Sequence, residues 1–130
     1  LLPLMGEMGV TVNFWHIADA GKDSVDLLNR LVNTYSPGPN YIVVRNLGRS
    51  SDFSQLDESP ALKKALAMGG CVITLPQLHE ASMRKIDRQN ASFWGAIHNR
   101  TGPDSLGMLE RQRVKSWLRS TYEVFDGLPL

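Results

Sequence analysis

Tyr41-Ile-Val-Val-Arg45 is the segment that most limits what this chain can become. Four apolar or aromatic residues in a row, three of them β-branched, read as a strand covered on both faces. Two further segments have a similar character. Val10-Thr-Val-Asn-Phe-Trp-His-Ile17 is rich in β-branched and aromatic residues, and Cys71-Val-Ile-Thr-Leu75 is apolar and closed by Pro76. Between the first two lies a helix starting near Asp23 or Ser24, with Val25, Leu28, Leu31, Val32 and Tyr35 on one face. Ser36-Pro-Gly-Pro-Asn40 stops it. Leu47 to Glu58 reads as polar loop, and Pro60 suits the first turn of a short helix through Met68, ended by Gly69-Gly70. Strands separated by helices need crossovers, and crossovers make the sheet parallel. The expected fold class is α/β, a parallel sheet flanked by helices.

After Pro76 the pattern turns helical. Glu80 to Gln89 is one helix, Ser92 to Ile97 a short amphipathic stretch, and Thr101-Gly-Pro-Asp-Ser105 a break. A long C-terminal helix is expected from about Leu106 to Phe125, with Val114, Trp117, Leu118 and Tyr122 on one face. The 130 residues suit one α/β domain spanning 1–130. Three strands make a small sheet, and the chain lacks an initiator methionine. Both lead us to expect the C-terminal portion of a longer protein.

Composition excludes some classes. The net charge of +1 provides no global field toward nucleic acid or membrane, so any basic patch must be local. Cys71 is the one cysteine, which rules out an intrachain disulfide and a thiolate metal cluster and fits a reducing, cytoplasmic setting. No apolar run reaches the length of a membrane span. His16, His79 and His98 show no i, i+4 metal spacing.

In a parallel sheet, ligands bind beyond the carboxyl ends of the strands. Three segments belong there: Ile17 to Lys22, Asn46 to Arg49, and Pro76 to Glu80. Ala20-Gly21-Lys22-Asp23-Ser24 has a strand before it and a helix after it, but it is not a phosphate-binding loop. His16 stands where the pattern needs glycine, and Asp23 stands where it needs Ser or Thr to hold magnesium. A capped helix start explains the segment. Asn46 can pair both edges of an amide-like group such as an adenine edge, or simply start a loop by bonding its own backbone. Pro76 terminates its strand, and carbonyls in its loop can accept from an adenine amino group. Arg111, Lys115 and Arg119 recur at i, i+4, i+8 as a basic stripe opposite Val114, Trp117 and Leu118. Arg113 adds charge on its flank, and Arg84, Lys85 and Arg88 form a second cluster. Such stripes are either solvated helix faces or contacts for DNA phosphates or an acidic partner.

Taken in order, Gly6-Glu-Met-Gly9 before the first strand, Asp26-Leu-Leu28, Tyr41-Ile-Val-Val-Arg-Asn46, Ile73-Thr-Leu-Pro-Gln-Leu78 and Glu110-Arg-Gln-Arg-Val-Lys115 make the stretch from Met8 to Phe125 resemble a known family. It is similar to the C-terminal half of TraL/MobD-like plasmid transfer proteins, in the ParA/MinD branch of P-loop ATPases. The resemblance implies a partial P-loop NTPase-like three-layer fold, Mg-ATP as the ligand of the full-length parent, and a homodimer formed through the nucleotide face. It implies adenine contacts at Asn46 and Pro76. The family's phosphate loop and switch carboxylates have no counterpart here. The expectation is therefore an adenine-side portion of an ATPase serving plasmid conjugation, mobilisation or partition, with no catalytic residues, no metal site and no tight nucleotide binding of its own. The alternative is a non-enzymatic module that binds DNA or plasmid-transfer proteins through Arg111, Lys115 and Arg119. A small α/β enzyme with its own site at the strand ends is the third reading, and no local nucleophile–base pair supports it.

Overall fold

The computed structural model describes residues 1–35 and 38–130. They form two compact units, 1–75 and 76–130. The first unit holds α1 (Leu2–Glu7), β1 (Asn13–Ala18), α2 (Lys22–Tyr35), β2 (Asn40–Asn46), α3 (Ser54–Asp57), α4 (Pro60–Ala67) and β3 (Cys71–Leu75). The second holds α5 (Glu80–Gln89), α6 (Phe93–His98) and α7 (Met108–Asp126).

The three strands are parallel and lie in chain order, β1-β2-β3. Phe14 pairs with Tyr41 and His16 with Val43, while Val43 pairs with Val72. Side chains alternate across a strand, so these residues share one face. That face packs with Leu28 and Val32 of α2, Leu56 of α3, and Ala61, Leu62 and Ala65 of α4. Tyr41, Ile42, Val43 and Val44 are all buried, as expected for a central strand. Phe14 meets Tyr35 and Tyr41 edge-on, with ring centroids 5.3 and 5.9 Å away, a favoured aromatic geometry. Among the described residues β1 pairs only with β2, and it leaves Ile17 56% exposed.

Several boundaries differ from the sequence reading. The first strand starts at Asn13, not Val10. The last ladder bond at that end runs from the Asn40 N–H to the Val12 carbonyl, and Pro39 before it has no N–H to continue. Val10 instead donates its N–H to Met5, at the end of α1. The stretch from Leu47 to Glu58 is not all loop. Asp52 accepts the Ser54 N–H, and the turn that follows buries Leu56 next to Phe53. Of the stop signal expected at 36–40, Ser36 and Pro37 lie outside the described residues. Pro60 opens α4 as expected, with the Ser59 hydroxyl accepting the Leu62 N–H at 3.2 Å. Gly70 then passes so close to α4 that a Cβ there would sit 2.6 Å from the Ala65 carbonyl oxygen.

The second unit has its own core: Leu78, Ile86, Ala96, Ile97, Leu106 and Val114, with Phe93, Trp117 and Leu118 against it. Asn90 ends α5 in the left-handed conformation, and Ser92 caps α6 by accepting the Gly95 N–H. Tyr122 does not join the apolar face of α7. It is 59% exposed, and Thr121 takes the buried position. At about 100° per residue, Thr121 falls in line with Val114, whereas Tyr122 is rotated well away.

Candidate functional site

A linked group of polar side chains lies in the second unit, where the segment before α5 faces α7. Glu110, in the first turn of α7, reaches back to accept the Gly107 N–H at 3.1 Å. The same carboxylate receives Lys85 Nζ from α5 at 2.6 Å. These two donors, with His79 nearby, hold the Glu110 carboxyl below its ordinary value. Its other oxygen is 3.5 Å from the Ser82 hydroxyl, which is fully buried, and Ser82 Oγ is 2.9 Å from His79 Nδ1. On the far side of the ring, His79 Nε2 lies 3.3 Å from Arg113 Nη1.

A guanidinium only donates, so His79 Nε2 is the acceptor and the ring proton belongs on Nδ1. The chain of bonds then runs one way: Arg113 to His79, His79 to Ser82, Ser82 to Glu110. A cavity of about 420 Å³ opens beside it. Gln77 and His79 line one wall, and Gln112, Arg113, Ser116 and Trp117 line the other. Trp117 is fixed by its indole N–H, which donates to the Pro76 carbonyl at 2.7 Å, and by Phe93, whose ring centroid is 5.1 Å away.

Each residue singled out in the sequence has a definite place. Pro76 opens the cavity-lining segment, and its carbonyl already accepts from Trp117. Asn46 ends β2 in the first unit, where its side-chain oxygen accepts the Gly48 N–H at 3.0 Å and starts the loop. The basic stripe does not stay together. Arg111 is half-buried and donates to the Leu106 carbonyl at 2.6 Å, while Lys115 and Arg119 are exposed. Nor does the stripe lie opposite the apolar face: residues three apart on a helix are separated by about 60°, so Arg111 borders Val114. The second basic cluster is paired residue by residue, Arg84 with Glu80, Lys85 with Glu110 and Arg88 with Asp104.

The strand-end segments of the first unit are occupied by local bonds. Asp19 accepts the Gly21 N–H, Lys22 pairs with Asp26 at 2.9 Å, and the Ser50 hydroxyl accepts the Ala20 N–H at 3.1 Å. Arg45 pairs with Asp57 at 2.6 Å and also reaches Thr74. His16 and Ser24 have the composition of a nucleophile–base pair, with Oγ 3.3 Å from Nε2. The same Nε2 is 2.9 Å from the Ser24 carbonyl oxygen, however, so it carries the proton and cannot accept one from the hydroxyl. Burial pushes the His16 pKa down, partly offset by that carbonyl and by Asp19. The pair is a structural clasp between β1 and α2.

Among the described residues no group of three or more His, Cys, Asp or Glu side chains is placed to hold a metal ion. No helix among the described residues is long and apolar enough to cross a membrane. Sequence reasoning missed the joint role of His79, Ser82, Glu110 and Arg113. The one local signal was Glu110 three residues after Gly107, the spacing of a helix-start carboxylate. Comparison of the chain with family models, with curated proteins and with solved structures finds no match.

Proposed function

We propose that this chain is the adenine-side, C-terminal portion of a ParA/MinD-like ATPase serving plasmid conjugation, mobilisation or partition, whose parent binds ATP with magnesium and dimerises through its nucleotide face. The reading is carried by one observation: a parallel sheet in chain order whose β1 edge leaves Ile17 56% exposed. All-parallel sheets are ordinarily covered on both faces, so a β1 face that exposes Ile17 and Trp15, on a strand paired along one edge among the described residues, is what part of a larger layered sheet would present. The resemblance stated above supplies the family, and the position of Asn46 at the end of β2 agrees with it.

The parent's phosphate and magnesium contacts are expected outside this chain, and charge-assisted contacts of that kind carry much of nucleotide affinity. Isothermal titration with Mg-ATP should therefore show weak or no binding. Micromolar binding with turnover by the 130-residue chain would overturn the proposal. Sequencing the coding region upstream is the second test: a Gly-Lys-Gly-Gly-type loop there supports the reading, and a parent without one refutes it.

A second reading rests on a separate observation. Lys115 and Arg119 are exposed and form no ion pair among the described residues, whereas Arg84, Lys85 and Arg88 are each paired. The two lysine and arginine heads suit DNA phosphates or an acidic transfer-complex protein. Reversing both charges should abolish salt-sensitive binding to duplex DNA or to such a partner. Unchanged binding that salt does not weaken would exclude this reading.

A further inference from the structure

We infer that the second unit's cavity is a binding site for a small-molecule oxyanion, a phosphate or carboxylate group carried on a flat apolar body, with Arg113 and His79 as the residues that hold the charged head. The inference rests on the second unit alone and does not depend on the nucleotide reading.

The first reason is charge. Glu110 has its countercharge in Lys85, 2.6 Å away. Among the described residues Arg113 forms no ion pair, and its hydrogen bond is to the ring nitrogen of His79. An arginine offers five N–H donors in a planar fork that fits phosphate or carboxylate oxygens two at a time. One donor is engaged here, so the fork is largely unspent at the cavity wall.

Ring orientation is the second. His79 sits at the mouth of α5, and its ring is oriented from behind by fully buried Ser82, itself backed by Glu110. An exposed histidine with no role would not need a buried hydroxyl to select its tautomer. The arrangement keeps Nε2 turned toward Arg113, so the ring and the guanidinium fork meet at the cavity wall. Ser82 is thus a positioning residue, acting through His79.

Shape is the third. The cavity's volume of about 420 Å³ falls in the range of small-molecule sites. Leu78, Leu109 and Trp117 provide an apolar wall, while Gln77, Gln112 and Ser116 add neutral polar groups. Trp117 is held in place by Pro76 and Phe93, so the indole part of this wall is preformed.

The test uses the whole chain and four probes: inorganic phosphate, phenyl phosphate, benzoate and adenosine. Binding is followed by NMR through the His79 ring carbons and the Trp117 indole N–H. The expected result is millimolar binding of phosphate and tighter binding of phenyl phosphate or benzoate, whichever head the fork prefers, with both reporter signals moving. Arg113→Gln should weaken binding about tenfold or more, the scale of one charge-assisted contact. Ser82→Ala should weaken it severalfold and change the His79 ring signals before any ligand is added. Arg100→Ala, an exposed cation of the same unit that does not line the cavity, should leave binding unchanged. Absence of anion binding at millimolar concentration overturns the inference, as does binding indifferent to Arg113→Gln. Adenosine binding without phosphate or benzoate binding also overturns it, while leaving the proposed nucleotide role intact.

Discussion

The two histidines that take part in side-chain networks sit in opposite kinds of environment. His16, in the first unit, is buried at the sheet, and its Nε2 proton is consumed by the Ser24 carbonyl. His79, in the second unit, is exposed, and its Nε2 is an acceptor at a cavity wall, with a buried hydroxyl ordering the ring from behind. Both lie near a serine, so residue type does not separate them. What separates them is which ring nitrogen is spoken for by a group that can only donate or only accept. In the first unit the polar atoms at the strand ends close on one another. In the second they end on Arg113, which has donors left over.

The largest effect expected in either unit comes from the apolar core of the first. Leu28 is fully buried between β1 and the helices that cover the sheet. Leu28→Ala should destabilise by about 2–5 kcal/mol in urea unfolding. A change below that range would mean that the first unit's core collapses readily around the lost methyl groups, and that its rigidity has been overstated relative to the second unit. Next in size is Glu110→Gln. It removes the partner of Lys85 and weakens the hydrogen bond to Gly107, so a loss of about 1–2 kcal/mol is expected at neutral pH.

Acid should act on the imidazole of the first unit before it acts on the carboxylates. The folded-state pKa of His16 is depressed below its ordinary 6.5, so the unfolded chain takes up the proton first. Its stabilising contribution is complete above pH 6.5 and is lost as pH falls from there through the depressed value. Glu110 is also depressed, from an ordinary 4.5, mainly by Lys85 and the Gly107 N–H. Its contribution is complete above 4.5 and fades below it. Stability measured against pH should therefore fall in two steps. His16→Gln should remove the upper step, and Glu110→Gln should shrink the lower one, to which Asp52 of the first unit also contributes through its bonds to Ser54. A lower step that Glu110→Gln leaves at full size would show that the Lys85–Glu110 contact does not carry it.

How much of this was legible beforehand follows from how local each signal is. β3 was readable to the residue because Gly69-Gly70 and Pro76 punctuate it, and the bounds read for α5, Glu80 to Gln89, are those observed. α1 and α3 were missed. Helices of 6 and 4 residues carry too little periodicity to show against their surroundings, and Leu56 reveals itself as core only once β2 and α4 have come together around it. The stripe at Arg111, Lys115 and Arg119 was visible as spacing, but spacing does not tell which member turns inward to the Leu106 carbonyl. The network from Arg113 to Glu110 passes through residues 34 and 28 positions apart in sequence, beyond any local pattern. The rejection of a phosphate loop at Gly21-Lys22, in contrast, needed only neighbouring residues.

That rejection yields the smallest expected effect. In a working phosphate loop the lysine reaches toward phosphate oxygens and its removal abolishes nucleotide binding. Here Lys22 points along its own helix to Asp26, four residues on, and both side chains are largely in solvent. Exposed pairs of this kind contribute little, because water screens the charges and holding two long side chains costs entropy. Lys22→Ala should leave the unfolding midpoint within error and leave any anion binding in the second unit untouched. Phosphate affinity that depends on Lys22 and not on Arg113 would invert the contrast between the regions: the first unit would then hold the open donor, and the second would be the closed one.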